Sequence, residues 1–565
     1  MAVQFELLPN APLGFTMSTN YLPSSDPRAP VVRFRRERLP FIVSSFVALF
    51  LITGLTAWAQ AARVEARQKL PSPDKIINEY WKAVGGKKRL AAVRVATYEW
   101  TIEGQTNTRA RVRESAPSAA RTDLTFESGE VTSAASARSA WMRGANGGLR
   151  TLTDAEAGAA KLHAALAASH LIDYKKLNVL ARTLTLDRSG TEAAYVVEFS
   201  TRAGARLRYS FGVQSKLLLK IEDEARQTTT RLGDYRTTNG LLLPHRMQIE
   251  SNGTLVQTDY PSSLTLKLQS ASFNAAFNDA VFDPPSSEAL DIPALLREVE
   301  KNQEKLDERI AEYAFTEKRT ERKINDKGEI KEEKVTVYEI YPLQGGGSFY
   351  KLISENGVPL SAERAAKQEK NIAEAVEKYE RERLKREQKK KEAAAKNKVE
   401  EKKDDDGDIS VAQFLRACEF VSPRRERLRD REAVVFDFRP RPGFRPSNRA
   451  EEIVTKLIGI VWIDPIDKQV IRLEAKLAEG FKMGGGLVAS IKPGSSFVFE
   501  QTRLGDGVWL PRFAQVNFSA KFLLFKSIEA NETREFSDYR HFKTEAKDYK
   551  LDAPANEQPE ATKPQ

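Results

Sequence analysis

Much of the stretch spanning residues 195–249 occurs a second time between residues 434 and 516. Tyr195-Val-Val-Glu-Phe199 leads to Gly204, and Val434-Val-Phe-Asp-Phe438 leads at the same spacing to Gly443. Residues 209–222 lie without a gap over residues 461–474, and Thr230-Arg-Leu-Gly-Asp234 recurs as Thr502-Arg-Leu-Gly-Asp506. Behind these, Gly240 with Pro244 matches Gly507 with Pro511. Matched segments in one order mean one supersecondary unit used twice. Each segment has the period of a strand: Tyr195, Val197 and Phe199 share a face, and Val434, Phe436 and Phe438 repeat the pattern. Polar turns with Gly or Asp separate the segments, which predicts antiparallel meanders with Pro244 and Pro511 at strand starts. Glu198 and Asp437 fall in equivalent places between apolar neighbours, which predicts a strand's outer face rather than a catalytic pair.

A chain of 565 residues is too long for one core, so two or three domains are expected. One cysteine, Cys418, excludes a disulfide framework and a cysteine-based metal site, and is itself expected to be a buried small residue. The net charge of +11 raises nucleic acid as a partner. Acids are interleaved with the bases, however, and the N-terminal leader argues for export. An anionic lipid or glycolipid headgroup is the better match to the excess charge.

That leader occupies residues 1–59. A basic run at residues 33–38 precedes an apolar run at 41–55, and Ala57-Trp58-Ala59 follows. This is the pattern of a secretory signal cut after Ala59, so that the mature chain begins at Gln60; Ala61 offers a second site. The alternative is an uncleaved inner-membrane anchor over residues 39–58. The first folded region, 71–286, opens with a helix capped by Ser72 and Pro73, with Ile76, Ile77, Tyr80, Trp81 and Val84 on its apolar face. Strands are expected at 96–104, 109–114 and 121–126, and an alanine-rich helix at 153–171. The second region, 287–545, starts with a helix from Pro293 to Tyr313, then strands at 313–324 and 334–341. A long charged helix is expected over 361–403, with Glu-to-Lys and Glu-to-Arg pairs at helical spacing. A short amphipathic helix carries Val411, Phe414, Leu415 and Cys418, and the tail 546–565 is expected to be disordered.

A first helix, a curved meander, a helical insertion and a closing Asn with Phe-Asp resemble the periplasmic lipoprotein-carrier family (LolA/LolB-like). Gly233-Asp-Tyr-Arg236, Gly240-Leu-Leu-Leu-Pro-His245, and Asn274 with Phe282-Asp283 carry the resemblance. It covers about residues 71–286, and 287–545 through the internal repeat; the inserted charged helix and the loop at 440–446 depart from it. The resemblance implies a half-barrel sheet lidded by helices that hold acyl chains in an apolar cavity. The expected fold is therefore α+β and β-rich. It has two tandem curved antiparallel half-barrel sheets with covering helices, and a long charged helix inserted in the second copy.

Catalytic chemistry finds no foothold. His163, His170, His245 and His541 form no metal motif, although His163 and His170 stand two turns apart on one predicted helix. Gly345-Gly-Gly347 and Gly484-Gly-Gly486 lack the Lys-Ser/Thr of a phosphate loop, and the acids of 404–408 are misspaced for an EF-hand. No enzyme activity, cofactor or metal is expected. Arg424, Arg425, Arg427, Arg429 and Arg431 precede the key strand of the second copy, and Arg439, Arg441 and Arg445 follow it. Guanidinium forks suit phosphate or carboxylate, while a solvated loop pairing with nearby acids is the plainer reading. The expectation is an exported periplasmic or envelope protein that binds a lipid or lipidated protein. Tyr195, Val197, Phe199, Val434, Phe436 and Phe438 would line its cavities, with Arg439 and Arg441 at a mouth. The alternative is a non-catalytic structural protein whose charged helix docks an envelope partner.

Overall fold

The computed structural model describes residues 70–541 except 105–106, 173, 253–261, 287–289, 311, 326–328, 343–347, 396–410, 484–488 and 523–525. The expected signal segment with Ala57, Ala59 and Gln60, the tail 546–565, both triple-glycine turns, the acids of 404–408 and the charged stretch 396–403 lie outside the described residues.

Strands dominate, in two antiparallel sheets of thirteen strands each, neither closed into a barrel. The first sheet runs from the edge strand Leu149–Thr151 through Arg109–Ser115 and Val95–Ile102 to Ser263–Phe273. It continues through Leu241–Ser251, Thr228–Thr238, Leu218–Asp223, Arg206–Gly212 and Ala194–Ser200 to Leu180–Asp187. The second runs from Val358–Pro359 through Tyr313–Ile324, Lys526–His541, Trp509–Phe522 and Ser496–Arg503. It ends with Val470–Leu477, Leu457–Ile463, Arg431–Pro440 and Cys418–Leu428. The helix Ala362–Ala395 lies between two strands of this sheet in sequence. Among the described residues no helix is long and apolar enough to cross a membrane.

Local chemistry fixes the elements around the first sheet. Ser72 accepts from the Lys75 N–H at 3.3 Å and starts the helix Pro73–Ala83, which buries Ile76, Ile77 and Trp81. The helix Asp154–Ala168 buries alanines along most of its length, so its backbone approaches the sheet closely. Asn274, in the left-handed region at φ 57°, accepts from Arg94 and Val95 N–H groups and donates to the Ala92 carbonyl. That one side chain ties the last strand of the sheet to the first.

Three expectations need correction. Gly233 and Asp234 make no turn: they lie inside the strand Thr228–Thr238, and the chain reverses at Asn239-Gly240, both at positive φ. Pro244 therefore sits inside its strand, opposite Tyr235. Nor do the key strands alternate between core and water. Residues 433–438 are all buried, Phe436 on one cluster and Val435 on another, because both faces of this strand are covered.

Apolar clusters respect the division between sheets. The one around Phe199 draws only on residues 76–241, and the one around Phe436 only on 292–520. Where the sheets meet, the contacts are polar. Arg424, fully buried, reaches Glu426 at 2.6 Å, Asp437 at 3.0 Å and the Thr151 hydroxyl at 2.7 Å. Glu426 also accepts from the Thr151 N–H at 2.8 Å, and Arg138 reaches Asp437 at 3.0 Å and pairs with Asp283.

Candidate functional site

The six apolar residues expected to line cavities sit in packed interiors. Phe199 is fully buried, edge-on to Tyr174 and Tyr209 at ring distances of 5.7 and 5.1 Å. Val197 is fully buried beside it and Tyr195 half-buried. Phe436 meets Phe420 at 5.5 Å, and Phe438 meets Phe414 of the helix Val411–Ala417 at 4.8 Å. Helices and aromatic rings fill the space in front of these side chains. Val434, though buried, borders a groove of about 660 Å³ with Leu295, Arg431 and Ile466.

The arginines are occupied as well. Arg439 holds Glu419 at 2.9 Å. Arg441 donates to the carbonyls of Leu415, Arg416 and Cys418, closing the C-terminal end of the short helix. Arg429 pairs with Glu500, and Arg431 with Asp464 while lying over the Trp509 ring. The arginine-rich stretch is thus no solvated loop but an edge strand, Cys418–Leu428, and the turn after it. Glu198 and Asp437 correct the outer-face expectation in the same way. Both are buried, Glu198 with Arg182 at 2.8 Å and Asp437 between Arg138 and Arg424. His163 and His170 do not share a helix face, because the helix ends at Ala168 and His170 follows in the left-handed region. Burial and the adjacent Arg226 lower the His163 pKa to about 4.

A different part of the first sheet has the features of a site. On the inner face of the first sheet, Trp100, Ile102, Leu124, Val131, Leu264, Leu266 and Leu268 form an apolar cluster to which no helical residue belongs. Tyr98 and Leu243 pack against both this cluster and the helix-covered one around Phe199, so the two are continuous. Half-buried Val112, Phe126, Met247 and Ile249 extend it toward solvent. Helices thus cover one part of this face and strands alone make the rest. Sequence reading missed the cluster because residues 129–135 and 263–273 were not recognised as strands. The alternation Leu264, Leu266, Leu268 was the available signal.

Where the helix-covered and strand-only parts join stands Glu114. The register places it opposite Ala96 and Ala120, two small residues, on the face that carries Tyr98. Among the described residues nothing hydrogen-bonds to its carboxylate or to the hydroxyls of Tyr80, Tyr98 and Tyr209, which all feel its charge. Burial raises the Glu114 pKa to about 7. The folded pKa lies above the ordinary value of 4.5, so stability is full below about pH 4.5 and falls as pH rises through about 7. Glu114→Gln is expected to raise the unfolding free energy by about 1–3 kcal/mol at pH 8 and to leave it unchanged at pH 4. Denaturant melts of the two chains at both pH values check this.

No family model and no curated protein matches the chain. Solved structures do. A LolA superfamily protein from Nitrosomonas europaea is 12% identical, with 38% of this chain and 98% of that chain covered, at a TM-score of 0.26. A DUF1329 family protein from Desulfovibrio piger is 9% identical, covering 37% and 96%, at 0.24. The MucA/MucB complex of Pseudomonas aeruginosa is 7% identical, covering 83% and 99%, at 0.16. TM-scores this low leave the functional reading to the chain's own residues.

Proposed function

We propose that the chain is an exported, non-catalytic protein of the cell envelope that holds the acyl part of a lipid or lipidated ligand. The site is the strand-only apolar interior of the first sheet, and the absence of any helical residue from that cluster among the described residues is the observation that carries the reading. A ligand pocket is mostly apolar with a few polar groups that orient its occupant. Trp100, Leu124 and Leu266 supply the first; Glu114 and the hydroxyls of Tyr80, Tyr98 and Tyr209 supply the second.

We further read residues 71–286 and 287–545 as two tandem copies of one unit. The repeated segments support this, as does the strand order, which runs alike in the two sheets from Val95–Ile102 and from Tyr313–Ile324 onward. The leader residues Ala57 and Ala59 and the resemblance to periplasmic carriers support export. The closed packing of Phe436 and Phe438 favours a second reading for the second copy, an interaction module rather than a carrier.

A fluorescent fatty acid is expected to bind the full chain and to be displaced by unlabelled phospholipid. Met247→Glu is expected to weaken that binding at least tenfold, because it sets a charge among acyl chains. Phe436→Glu, in a core, is expected to unfold the second sheet and leave fatty-acid binding in place. Equal binding by the Met247→Glu protein removes this site from the reading.

A further inference from the structure

A second cavity, of about 870 Å³, opens between the two sheets and is lined by both. One wall is the helix Asp154–Ala168; another is the strand Val470–Leu477, on which Arg472, Glu474 and Lys476 share a face. The first two meet the helix in register: Arg472 pairs with Asp154 at 2.8 Å, and Glu474 stands 3.9 Å from Lys161. Glu474 is shared, since Arg472 also holds it at 2.9 Å. At the third position the ladder runs out of acids. Among the described residues Lys476 has no hydrogen bond or ion pair, although it is half-buried in the cavity wall.

The remaining walls add to the imbalance. Basic side chains outnumber acidic ones around the cavity, and the other acids in its lining are taken, Glu529 by Arg202 and by Lys492 at 3.7 Å and Asp74 by Lys175 at 2.7 Å. Phe497 and Phe513 give one side an apolar lining. An unpaired ammonium beside a second, poorly paired one is costly unless an anion joins them. Burial and the charge of Lys161 together push the Lys476 pKa down to about 8.

We propose that this cavity is a ligand site distinct from the acyl face, in which Lys476 and Lys161 hold a phosphate or carboxylate group. The anion is either the headgroup of an amphiphile, whose apolar part lies along Phe497 and Phe513, or a free small anion.

Isothermal titration calorimetry on the full chain tests this, with inorganic phosphate in one arm and dihexanoyl phosphatidic acid in the other. Saturable heat in either arm is expected, weakened at least tenfold by Lys476→Gln and by Lys161→Gln and kept by Lys476→Arg. Equal affinity in the two arms assigns the site to a free anion, and tighter binding of the lipid assigns it to a headgroup. Lys476→Gln breaks no ion pair, so its melting temperature is expected to be no lower than the parent's. Fatty-acid binding at the first sheet is expected to be unchanged in all three variants. No saturable heat in either arm, or heat unchanged by both glutamine substitutions, or loss of binding in Lys476→Arg, overturns the proposal.

Discussion

Arg424→Ala is expected to destabilise the protein by about 3–5 kcal/mol, the cost of leaving buried charges without their partner. Arg424 is fully buried and serves Glu426, Asp437 and Thr151 together. Truncation strands two carboxylates, and Thr151 belongs to the other sheet, so the junction between sheets loosens too. Two controls separate junction from fold. Arg424→Met combined with Asp437→Leu and Glu426→Gln removes the charges as a set and is expected to recover most of the loss. Thr151→Val, which removes only the hydroxyl's contacts with Arg424 and Glu426 and keeps the backbone bond to Glu426, is expected to cost about 1–2 kcal/mol, in the range for a buried hydrogen bond to charged groups. Urea melts followed by tryptophan fluorescence read all three. A loss below about 1 kcal/mol for Arg424→Ala would mean that water reaches Glu426 and Asp437.

Phe199→Ala is expected to cost the first sheet about 3–5 kcal/mol, the range for a buried aromatic truncated to alanine. Its ring is fully buried beside Tyr174, Tyr209 and Val197. The apolar clusters of the two sheets share no residue. A calorimetric scan should therefore move one transition and leave the other in place. Residues 71–286 expressed alone should fold and show the same loss. A single transition that shifts as a whole would make the polar junction strong enough to couple the two cores.

Much of this architecture was legible in the chain. Period-two alternation located the strands around Phe199 and Phe436, and Ser72 with Pro73 marked the first helix. The alternation failed to tell which outer faces stay wet. Glu198 and Asp437 look like solvent-facing acids, and only the arrangement of sheets reveals that Arg138, from 299 residues away in sequence, closes over Asp437. The arginine run misled for the same reason, since its acids come from Glu500, Asp464 and the strand itself. The apolar face at Trp100 and Leu266 escaped because its members are spread over six strands, each contributing one to three residues. Glu114 carried no sequence signal: an acid after Arg113 reads as a surface residue until the register sets it among tyrosines.

The central claim is that the first sheet carries an acyl ligand. Native mass spectrometry of the chain purified from its own envelope tests it most directly, beside the Met247→Glu protein prepared in the same way. The account predicts a lipid-sized adduct on the parent that detergent exchange removes and that the Met247→Glu protein lacks. A bare chain mass in both preparations, or added mass accounted for by a protein partner, would contradict it.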